Sequence, residues 1–312
     1  MVYVVILNWN GAHDTIACLQ SLARLHGPLP KVIVCDNASV DDSWSILQAY
    51  VEQQTGLDIQ LVQTGANLGF AGGNNVGLRL ALSDPSMECV WLLNNDTVVA
   101  PGALVAFQRH MTQHPEVGVC GSTLLYADEP ERIQAVGGQY NPWLGTSTHL
   151  LGHQPYSEAL CQSVNPAELD YVVGASMFLR RAVLETIGLL AEEYFLYCEE
   201  IDWATRMKRQ MPEMTLGYAP DSLVYHKEGA STLTSDRTKK IYRYFSDYFF
   251  ITSRLKFSKK YFPFHSLVVQ ASMLLVAMRR IRAGQPKSAL VALCCVVGWI
   301  PRWLDPRRTV SR

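Results

Sequence analysis

The stretch VVILNWNG, residues 4–11, joins a run of apolar and mostly β-branched side chains directly to a polar turn. Such a run is typical of a strand that is buried on both faces of a sheet. Similar runs recur at Lys31–Cys35, Ile59–Val62 and Val90–Leu93, and helical patterns separate them. Because strands that alternate with helices indicate βαβ crossovers, we expect an α/β fold with a mostly parallel sheet.

The spacing of apolar residues also predicts the other elements of the chain. Helices are expected at Thr15–Leu25, Asp42–Gln54, Asn75–Leu82, Arg180–Ile187 and Glu199–Met207. Two further strands are expected at Tyr171–Leu179 and Leu223–Tyr225. Residues 120–170 are rich in Gly, Pro and Tyr without a clear period, and we expect them to form extended connections around a site.

Charge is distributed unevenly along the chain, although the formal net charge is only −1. Residues 1–236 hold 26 acidic and 11 basic side chains, whereas residues 237–312 hold 2 acidic and 16 basic ones. This split predicts an acidic globular body followed by a basic tail that suits an anionic surface. We place the domains at 1–235 and 236–312.

The basic tail contains two uncharged apolar runs, residues 261–278 and 289–300, with basic residues beside them. As helices they would reach about 27 and 18 Å, which is short of a hydrocarbon core of ~30 Å. We therefore expect two helices that associate with the bilayer interface. A helical hairpin packed on the body and a membrane span are the alternatives. The apolar content argues against nucleic acid as a partner.

Several functional classes are excluded by motif order. A dehydrogenase-type dinucleotide site needs G-x-G-x-x-G directly after the first strand, with an acidic residue about 20 positions later. Here the glycine-rich segment Asn67–Gly77 follows Asp36, which is the wrong order for such a site. No G-x-x-x-x-G-K-[ST] motif occurs, so a P-loop NTPase is excluded as well. The 8 cysteines form no C-x-x-C pair, which favours a reducing compartment. The start of the chain lacks the features of a secretory signal.

Polar clusters follow three of the predicted strands, at Asn8–Gly11, Asp36–Ser39 and Asn94–Thr97. Ligands bind beyond the carboxyl ends of the strands in open parallel sheets, so these clusters predict one binding crevice. The Asp36 carboxylate could accept hydrogen bonds from a nucleobase or a ribose, although it also suits a turn. The glycines of Asn67–Gly77 could let a phosphate approach a helix start, or they could form a plain flexible loop.

Candidate catalytic chemistry is concentrated at two places. The Asn94-Asn95-Asp96 turn has oxygen ligands for a divalent cation, and His226 is the best second ligand, although a lone histidine is more often structural. Glu199, Glu200 and Asp202 crowd three carboxyls at a predicted helix start. Like charges raise each other's pKa, which favours a general base there, whereas helix capping is the alternative.

Seven ordered blocks resemble glycosyltransferase family 2, closest to its rhamnosyltransferase-like bacterial members that build surface polysaccharide. The resemblance covers about residues 2–235, and it implies a nucleotide-sugar-binding GT-A fold. The blocks are VVILNWNG, VIVCDNASVDDS, NLGFAGGNNVG, LLNNDT, VVGASMFLRRAVLETIG, EEYFLYCEEIDWATR and VYHKEGAS.

The resemblance implies a donor pocket at these blocks. Asp36 would hold the pyrimidine base of the donor in a pocket lined by Asn8, Trp9 and Asn10. The nucleotide and diphosphate would be covered by Asn67, Gly72, Gly73 and Asn74. The Asn94-Asn95-Asp96 turn takes the place of the family's D-x-D-like metal motif.

The resemblance also implies the catalytic groups. His226 would complete the metal coordination by Asp96 and Asn94, with Asp96 carrying most of the affinity. Glu200 matches the catalytic base, which is more commonly an Asp in the family, so Asp202 is a rival. Residues on the acceptor side would be Glu199, Asp202 and Trp203.

The implied function is an inverting transfer of a sugar from a nucleotide-diphosphate donor to a saccharide hydroxyl. dTDP-L-rhamnose is favoured as donor, UDP-sugars remain open, and Mg²⁺ or Mn²⁺ is the expected cofactor. The acceptor is expected to be linked to polyprenyl diphosphate at the cytoplasmic face of the bacterial inner membrane, with the protein peripheral or monotopic. The alternatives are a non-catalytic nucleotide-sugar-binding protein and a nucleotidyltransferase.

Overall fold

The computed structural model describes residues 1–227 and 236–305, with side chains throughout except at 236–243. These residues divide into two compact units. The first comprises Met1–Gln139, Thr148–Glu192 and the described residues from Glu199 onward to Lys227, and the second comprises Tyr140–Ser147, Glu193–Cys198 and residues 236–305. The last four residues of the VYHKEGAS block, the expected boundary at 235 and residues 306–312 lie outside the described residues.

The first unit is built on a nine-stranded sheet, and a separate pair of strands follows β7. The sheet order is β3-β2-β1-β4-β10-β6-β11-β5, with β7 beside β6. The strands β1 to β4 pair in parallel, as do β6 and β11, whereas β10 runs antiparallel to β4 and β6. The expected mostly parallel α/β sheet is therefore confirmed. The strands are β1 (Val2–Asn8), β2 (Lys31–Asp36), β3 (Asp58–Gln63), β4 (Cys89–Asn94), β5 (Thr97–Val99), β6 (Val117–Tyr126), β7 (Ile133–Ala135), β8 (Gly138–Asn141), β9 (Thr146–His149), β10 (Ser176–Arg180) and β11 (Thr215–His226).

Helices cover this sheet and close its core. α3 packs on β1 and β2, α1 packs on β5, and α4 packs on β11. The Phe107 ring stacks on Phe178 with centroids 4.8 Å apart and meets the edge of Trp91 at 5.3 Å. The helices of this unit are α1 (Ala12–Leu22), α2 (Ser43–Gln53), α3 (Gly69–Ser83), α4 (Ala103–Gln113), α5 (Glu158–Gln162), α6 (Arg181–Ile187) and α7 (Glu199–Gln210).

Strand register brings the predicted polar clusters to one edge of the sheet. Asn8, at the end of β1, pairs with Asp36 at the end of β2. On the other side of β1, Leu7 pairs with Asn94 at the end of β4. The chain then turns into β5, which runs antiparallel to the end of β11 and pairs Thr97 with His226. Register alone therefore aligns chain positions that are far apart in sequence.

Three expectations about strands were wrong. Residues 120–170 do not consist only of connections, because β6 is a ten-residue strand that is buried along nine of its positions. Gly118 and Gly121 interrupt its apolar pattern, but Cβ atoms there would lie 2.8 Å from Val183 and 3.1 Å from Val172. β10 begins only at Ser176, and β11 extends N-terminally of the predicted short strand to Thr215.

The expected start of the third helix at Asn75 was also wrong, because α3 begins at Gly69. Glycine disfavours helix interiors, so the helix was expected to begin only after most of the glycine-rich segment. The glycines instead allow close packing on the sheet. A Cβ on Gly73 would lie 2.4 Å from a methyl of Leu7, and one on Gly77 would lie 2.5 Å from a methyl of Val5.

The second unit is helical and has its own apolar core. It contains α8 (Asp236–Tyr261), α9 (Pro263–Arg282) and α10 (Pro286–Val296), so both expected tail helices are present. Its buried residues include Phe249, Val269, Met273, Val291 and Cys295. In the part of the chain that the structure describes, no helix combines the length and apolar character needed to cross a membrane.

Candidate active site

An acidic residue and an imidazole meet at the edge of the sheet. Asp96 Oδ1 lies 3.1 Å from His226 Nε2, and both side chains are largely buried. The Asn94 amide lies 3.4 Å from the same imidazole nitrogen. The three residues that were predicted as metal ligands are thus brought together, although 130 positions separate the Asn94-Asn95-Asp96 turn from His226.

The orientation of His226 is set by a residue that the sequence analysis missed. His226 Nδ1 lies 2.7 Å from Gln134 Oε1. Because an amide oxygen only accepts, Nδ1 carries the hydrogen and donates a hydrogen bond to it. Nε2 then faces Asp96. Gln134 lies on β7 in a short buried strand, and no feature of the surrounding sequence distinguishes it.

This donor set fits a divalent cation that also takes ligands from its substrate. Metal-binding histidines usually donate their other ring N–H to an oxygen, as His226 does to Gln134. One carboxylate and one imidazole are few ligands, but Mg²⁺ and Mn²⁺ sites often add phosphate oxygens and waters. Within the described ranges, no cluster of three or more His, Cys, Asp or Glu side chains is arranged to bind a metal by itself.

A chain of buried hydrogen bonds connects the ends of β1, β2 and β4. The Asn8 amide donates to Asp36 Oδ1 at 2.8 Å and accepts from the Thr15 hydroxyl at 2.9 Å. Asn95 donates to the same hydroxyl at 3.2 Å. The Ser39 hydroxyl donates to Asp36 Oδ1 at 2.6 Å. This network holds the three polar turns in fixed register.

Asp36 is therefore bonded to its own turn, as the turn-forming alternative predicts, and its contact with a base stays a prediction. Asn10 donates its backbone N–H to Ser39 Oγ at 2.9 Å, and its side chain accepts from Val40 N at 2.8 Å. Asn10 and Ala38 both have left-handed backbones, with φ of 53° and 56°. Strained residues of this kind concentrate at binding and catalytic sites. Trp9 is half-buried beside this turn.

The residues that were expected to cover the diphosphate lie at the start of α3. Asn67 Oδ1 accepts from the Gly69 N–H at 3.0 Å, in a turn that leads into the helix. Gly72 and Gly73 are buried in the first two turns, against Leu68 and Leu7 respectively. The Asn74 amide donates to the Phe70 carbonyl at 2.9 Å. Their role at the donor stays a prediction.

Glu200 lies in the first turn of α7. A Cβ built on Gly174 would be 3.9 Å from Glu200 Cδ and 3.7 Å from the Phe70 ring. The next residue, Ala175, accepts the Asn94 N–H at 3.0 Å, which connects this region to the end of β4. Burial raises the pKa of Glu200 above its ordinary value. Glu200 has no ion pair among the described residues, and its role as the base stays a prediction.

The other carboxyls of this turn are in different environments. Asp202 is fully buried and pairs with Arg206 at 2.7 Å, and the Trp203 ring nitrogen donates to the Gly188 carbonyl at 2.9 Å. Glu199 is buried, and its Oε1 has no hydrogen-bond partner among the described residues. Burial, with the charge of Glu200 next, raises the pKa of Glu199 well above its ordinary value. Their acceptor-side role stays a prediction, and the ion pair of Asp202 counts against it as the base.

The fold has a GT-A-like architecture. It is similar to the mannosyltransferase PcManGT from Pyrobaculum calidifontis, solved in complex with GDP-Man and Mn²⁺. The TM-score is 0.57 at 15% sequence identity, and the similarity covers 95% of this chain and 87% of that chain.

The family is defined by sequence. The model of glycosyl transferase family 2 matches residues 3–188, which is more than half of the chain. The protein belongs to glycosyltransferase family 2 and is a glycosyltransferase.

Two curated relatives are each 24% identical to this chain. One is the low-salt glycan biosynthesis hexosyltransferase Agl10 of Haloferax volcanii, matched over 82% of this chain and 76% of that protein. The other is an N-acetylglucosaminyl-diphospho-decaprenol L-rhamnosyltransferase of Mycobacterium tuberculosis, matched over 72% of this chain and 75% of that protein.

Proposed function

We propose that the protein transfers a sugar from a nucleotide-diphosphate donor to a saccharide hydroxyl, with inversion at the anomeric carbon. The observation that carries this proposal is the contact of Asp96 with His226, 3.1 Å apart at the polar edge of the sheet. Ligands bind at this edge in open α/β sheets, and Glu200 stands near it through Gly174 and Ala175.

Asp96 and His226 would hold a divalent cation, Mg²⁺ or Mn²⁺, with the Asn94 amide beside them. When bound, such a cation supplies positive charge that stabilises a diphosphate leaving group. Gln134 keeps the Nδ1 proton of His226 in place and so directs Nε2 towards Asp96. The Mn²⁺ in the complex of the mannosyltransferase PcManGT supports this assignment.

Glu200 would act as the general base. Its carboxylate takes the proton of the acceptor hydroxyl, and the acceptor oxygen forms a bond to the anomeric carbon. The bond from that carbon to the diphosphate oxygen breaks on the opposite face, and the nucleoside diphosphate leaves with the electron pair. A raised carboxyl pKa makes Glu200 a stronger base than an exposed glutamate.

The donor would bind along the turns after β1 and β2. Asp36, Asn8, Trp9 and Asn10 would surround the base, and the start of α3 from Asn67 to Asn74 would cover the diphosphate. The name of the mycobacterial L-rhamnosyltransferase supports L-rhamnose as the transferred sugar. We therefore take dTDP-L-rhamnose as the first candidate donor and UDP-sugars as the second.

The acceptor would be a saccharide carried on polyprenyl diphosphate, which the decaprenol-linked substrate in that relative's name supports. Glu199, Asp202 and Trp203 belong to the helix that would border it, with only Glu200 in contact with the reacting hydroxyl. Since such an acceptor is confined to the membrane, the protein would work at the cytoplasmic face of the bacterial inner membrane, as a peripheral or monotopic enzyme.

A donor screen with product analysis tests this function. The purified protein is incubated with dTDP-L-rhamnose and with a panel of UDP- and GDP-sugars, with and without Mn²⁺, and a polyprenyl-diphosphate saccharide as acceptor. We expect one donor to raise the melting temperature in a Mn²⁺-dependent way and to release nucleoside diphosphate. NMR of the new linkage should give the inverted anomer.

Other products would overturn the proposal in defined ways. Release of pyrophosphate would identify a nucleotidyltransferase. Donor binding without any product across the panel would identify a nucleotide-sugar-binding protein without transferase activity. A retained anomeric configuration would exclude the direct displacement assisted by Glu200.

A further inference from the structure

Helix α9 of the second unit is apolar on two opposite faces. Its inner face buries Val269, Met273 and Ala277 in the core of this unit. Its outer face exposes large apolar side chains at a helical spacing, and three of them, Phe264, Leu267 and Ile281, are 89%, 70% and 60% exposed. A surface helix normally carries polar residues on its outer face. The full outer row is Phe264, Leu267, Val268, Leu274, Leu275, Met278 and Ile281.

The neighbouring segments continue the apolar surface. α10 exposes Leu290, Leu293 and Val297, and it is antiparallel to α9, since the Gln270 amide donates to the carbonyls of Cys295 and Val296.

Exposed tryptophans lie near the start of α9 and after α10. Trp143, from the short Tyr140–Ser147 segment of the same unit, meets the His265 ring with centroids 4.3 Å apart. Trp299 and Trp303 follow α10. Tryptophan is enriched where a protein meets the boundary between lipid and water.

The charges around this surface have one sign. Arg279, Arg282 and Lys287 are exposed around the turn between α9 and α10, and Arg302 is exposed after α10. The sequence from residue 263 to 304 contains no Asp or Glu. Arg280 differs from these residues because it pairs with Asp247 of α8 at 2.5 Å. The exposed cations are therefore not neutralised by acidic residues of their own segment.

We propose that the exposed apolar face of α9 and α10, with Trp143, is a docking surface for an anionic lipid bilayer. The two helices would lie in the plane of the interface, with their apolar side chains among the acyl chains and their cations at lipid phosphates. In a two-fold contact, a second copy of this chain would bring the same positive charges against these ones, whereas an anionic bilayer brings lipid phosphates. Each exposed cation should contribute about fivefold to the affinity for an anionic membrane.

The residues of this surface belong to the second unit, whereas those of the candidate active site belong to the first. The inference rests on the proposed function only in that a bilayer surface is where a lipid-linked acceptor would be met.

Flotation of the full-length protein with vesicles tests this inference. We expect the protein to float with vesicles of phosphatidylcholine containing 30% phosphatidylglycerol, and at least tenfold less with pure phosphatidylcholine. The L267E/L275E variant changes two exposed outer positions of α9 and should lose at least tenfold in bound fraction. R279Q/R282Q should lose about 25-fold with anionic vesicles and little with neutral ones.

The controls separate docking from folding and from sugar transfer. Val105→Glu places one such acidic side chain on an exposed apolar residue of α4 and should float like the wild type. Each variant should keep its melting temperature and its donor binding in detergent-free buffer. A wild-type protein that floats with anionic vesicles but binds no donor would count against the proposed function alone.

Two results would overturn the docking surface. One is a wild-type protein that floats with neither vesicle type. The other is an L267E/L275E variant that floats as well as the wild type. In that second case, a drop in the variant's solution mass from dimer to monomer would assign the surface to contact between copies of the chain.

Discussion

Contacts on both ring nitrogens fix the orientation of His226, with Gln134 on one side and Asp96 on the other. Gln134 Oε1 accepts a hydrogen bond from the Nδ1–H group, and this leaves Nε2 as the nitrogen that meets Asp96. The imidazole can turn only if it loses a buried hydrogen bond, and the loss of such a bond is costly. Gln134 thus acts as a positioning residue through His226, without contact to the substrate.

Replacing Gln134 by Leu should weaken Mn²⁺ binding about 10- to 100-fold, because the imidazole loses its orienting acceptor. Electron paramagnetic resonance titration of Mn²⁺ in the presence of donor measures this affinity directly. Gln113→Leu, at the exposed end of α4, is the matched control and should bind Mn²⁺ normally. Equal affinity in the two variants would remove Gln134 from the site.

Glu200→Gln should lower kcat by about 10²–10⁴-fold and leave donor affinity nearly unchanged, because it removes a base and keeps the shape of the side chain. In the wild type, kcat/KM should fall as pH decreases, with a midpoint above the ordinary glutamate pKa of 4.5, because burial raises the pKa of Glu200. Glu185→Gln, on the exposed surface of α6, should match the wild type. Normal turnover by the Glu200 variant would reject it as the base.

Glu199 should make stability depend on pH. Because burial raises the pKa of Glu199, the folded protein holds this proton more tightly than the unfolded chain does. Its contribution to stability is therefore present at low pH and is lost as pH rises above 4.5 towards the folded pKa.

We expect Glu199→Gln to gain melting temperature relative to the wild type between pH 5 and pH 8. The gain should be at least about 1.5 °C, which is the shift that ~1 kcal/mol produces in a chain of this size. Differential scanning fluorimetry across this range measures it. For Glu185→Gln the difference from the wild type should not grow with pH, and a flat difference for Glu199→Gln would contradict the assigned pKa shift.

Among the elements, those with simple periodicity were predictable and those shaped by their neighbours were not. β1, β2 and β4 have continuous apolar runs, and their order along the chain gave the polar edge where Asp36 and Asp96 lie. β6 and the start of α3 were missed because glycines interrupt their patterns, and those glycines are required by side chains from other elements. Thr15 and Gln134 were missed for a related reason, since their partners are 80 and 92 positions away.

The packing of α3 on the sheet gives a prediction at this scale. Gly77→Ala should destabilise the protein by about 1–3 kcal/mol, because its Cβ would meet the stiff, buried side chain of Val5 at 2.5 Å. The better helix propensity of Ala, about 1 kcal/mol, offsets only part of this cost. Chemical denaturation measures the difference.

Gly102→Ala is the matched control. It is the N-cap residue of α4, and a Cβ there would meet no atom, so the substitution should cost less than about 1 kcal/mol. If both alanine variants proved equally stable, close packing of α3 would not explain its glycines.

At the scale of the whole molecule, the second unit is discontinuous in sequence. Its helices receive two short segments from the first two thirds of the chain, Tyr140–Ser147 and Glu193–Cys198. The Tyr140 ring meets Phe257 at 4.9 Å, and Phe195 stacks on Phe249 at 4.5 Å. A boundary at residue 235 therefore separates these segments from the core that they complete.

A chain truncated after residue 235 should consequently be less soluble than its acidic composition suggests. We expect it to aggregate at concentrations at which the full chain stays dispersed, because Tyr140 and Phe195 lose their partners. Light scattering after purification of both proteins measures this. Y140S and F195S in the truncated chain should reduce the scattering. A truncated protein that stays dispersed without these changes would contradict the claim that Tyr140 and Phe195 complete the core of the second unit.

The discontinuous second unit also imposes an order on biosynthesis. The Tyr140–Ser147 segment leaves the ribosome well before α10, and at ~5–20 residues per second the delay is on the order of ten seconds. During that interval the nascent chain presents Tyr140, Trp143 and Phe195 without their helices, as sites that a chaperone can occupy. A translational stall while α8 to α10 are being made should therefore lower the yield of folded protein more than the same stall during synthesis of α1.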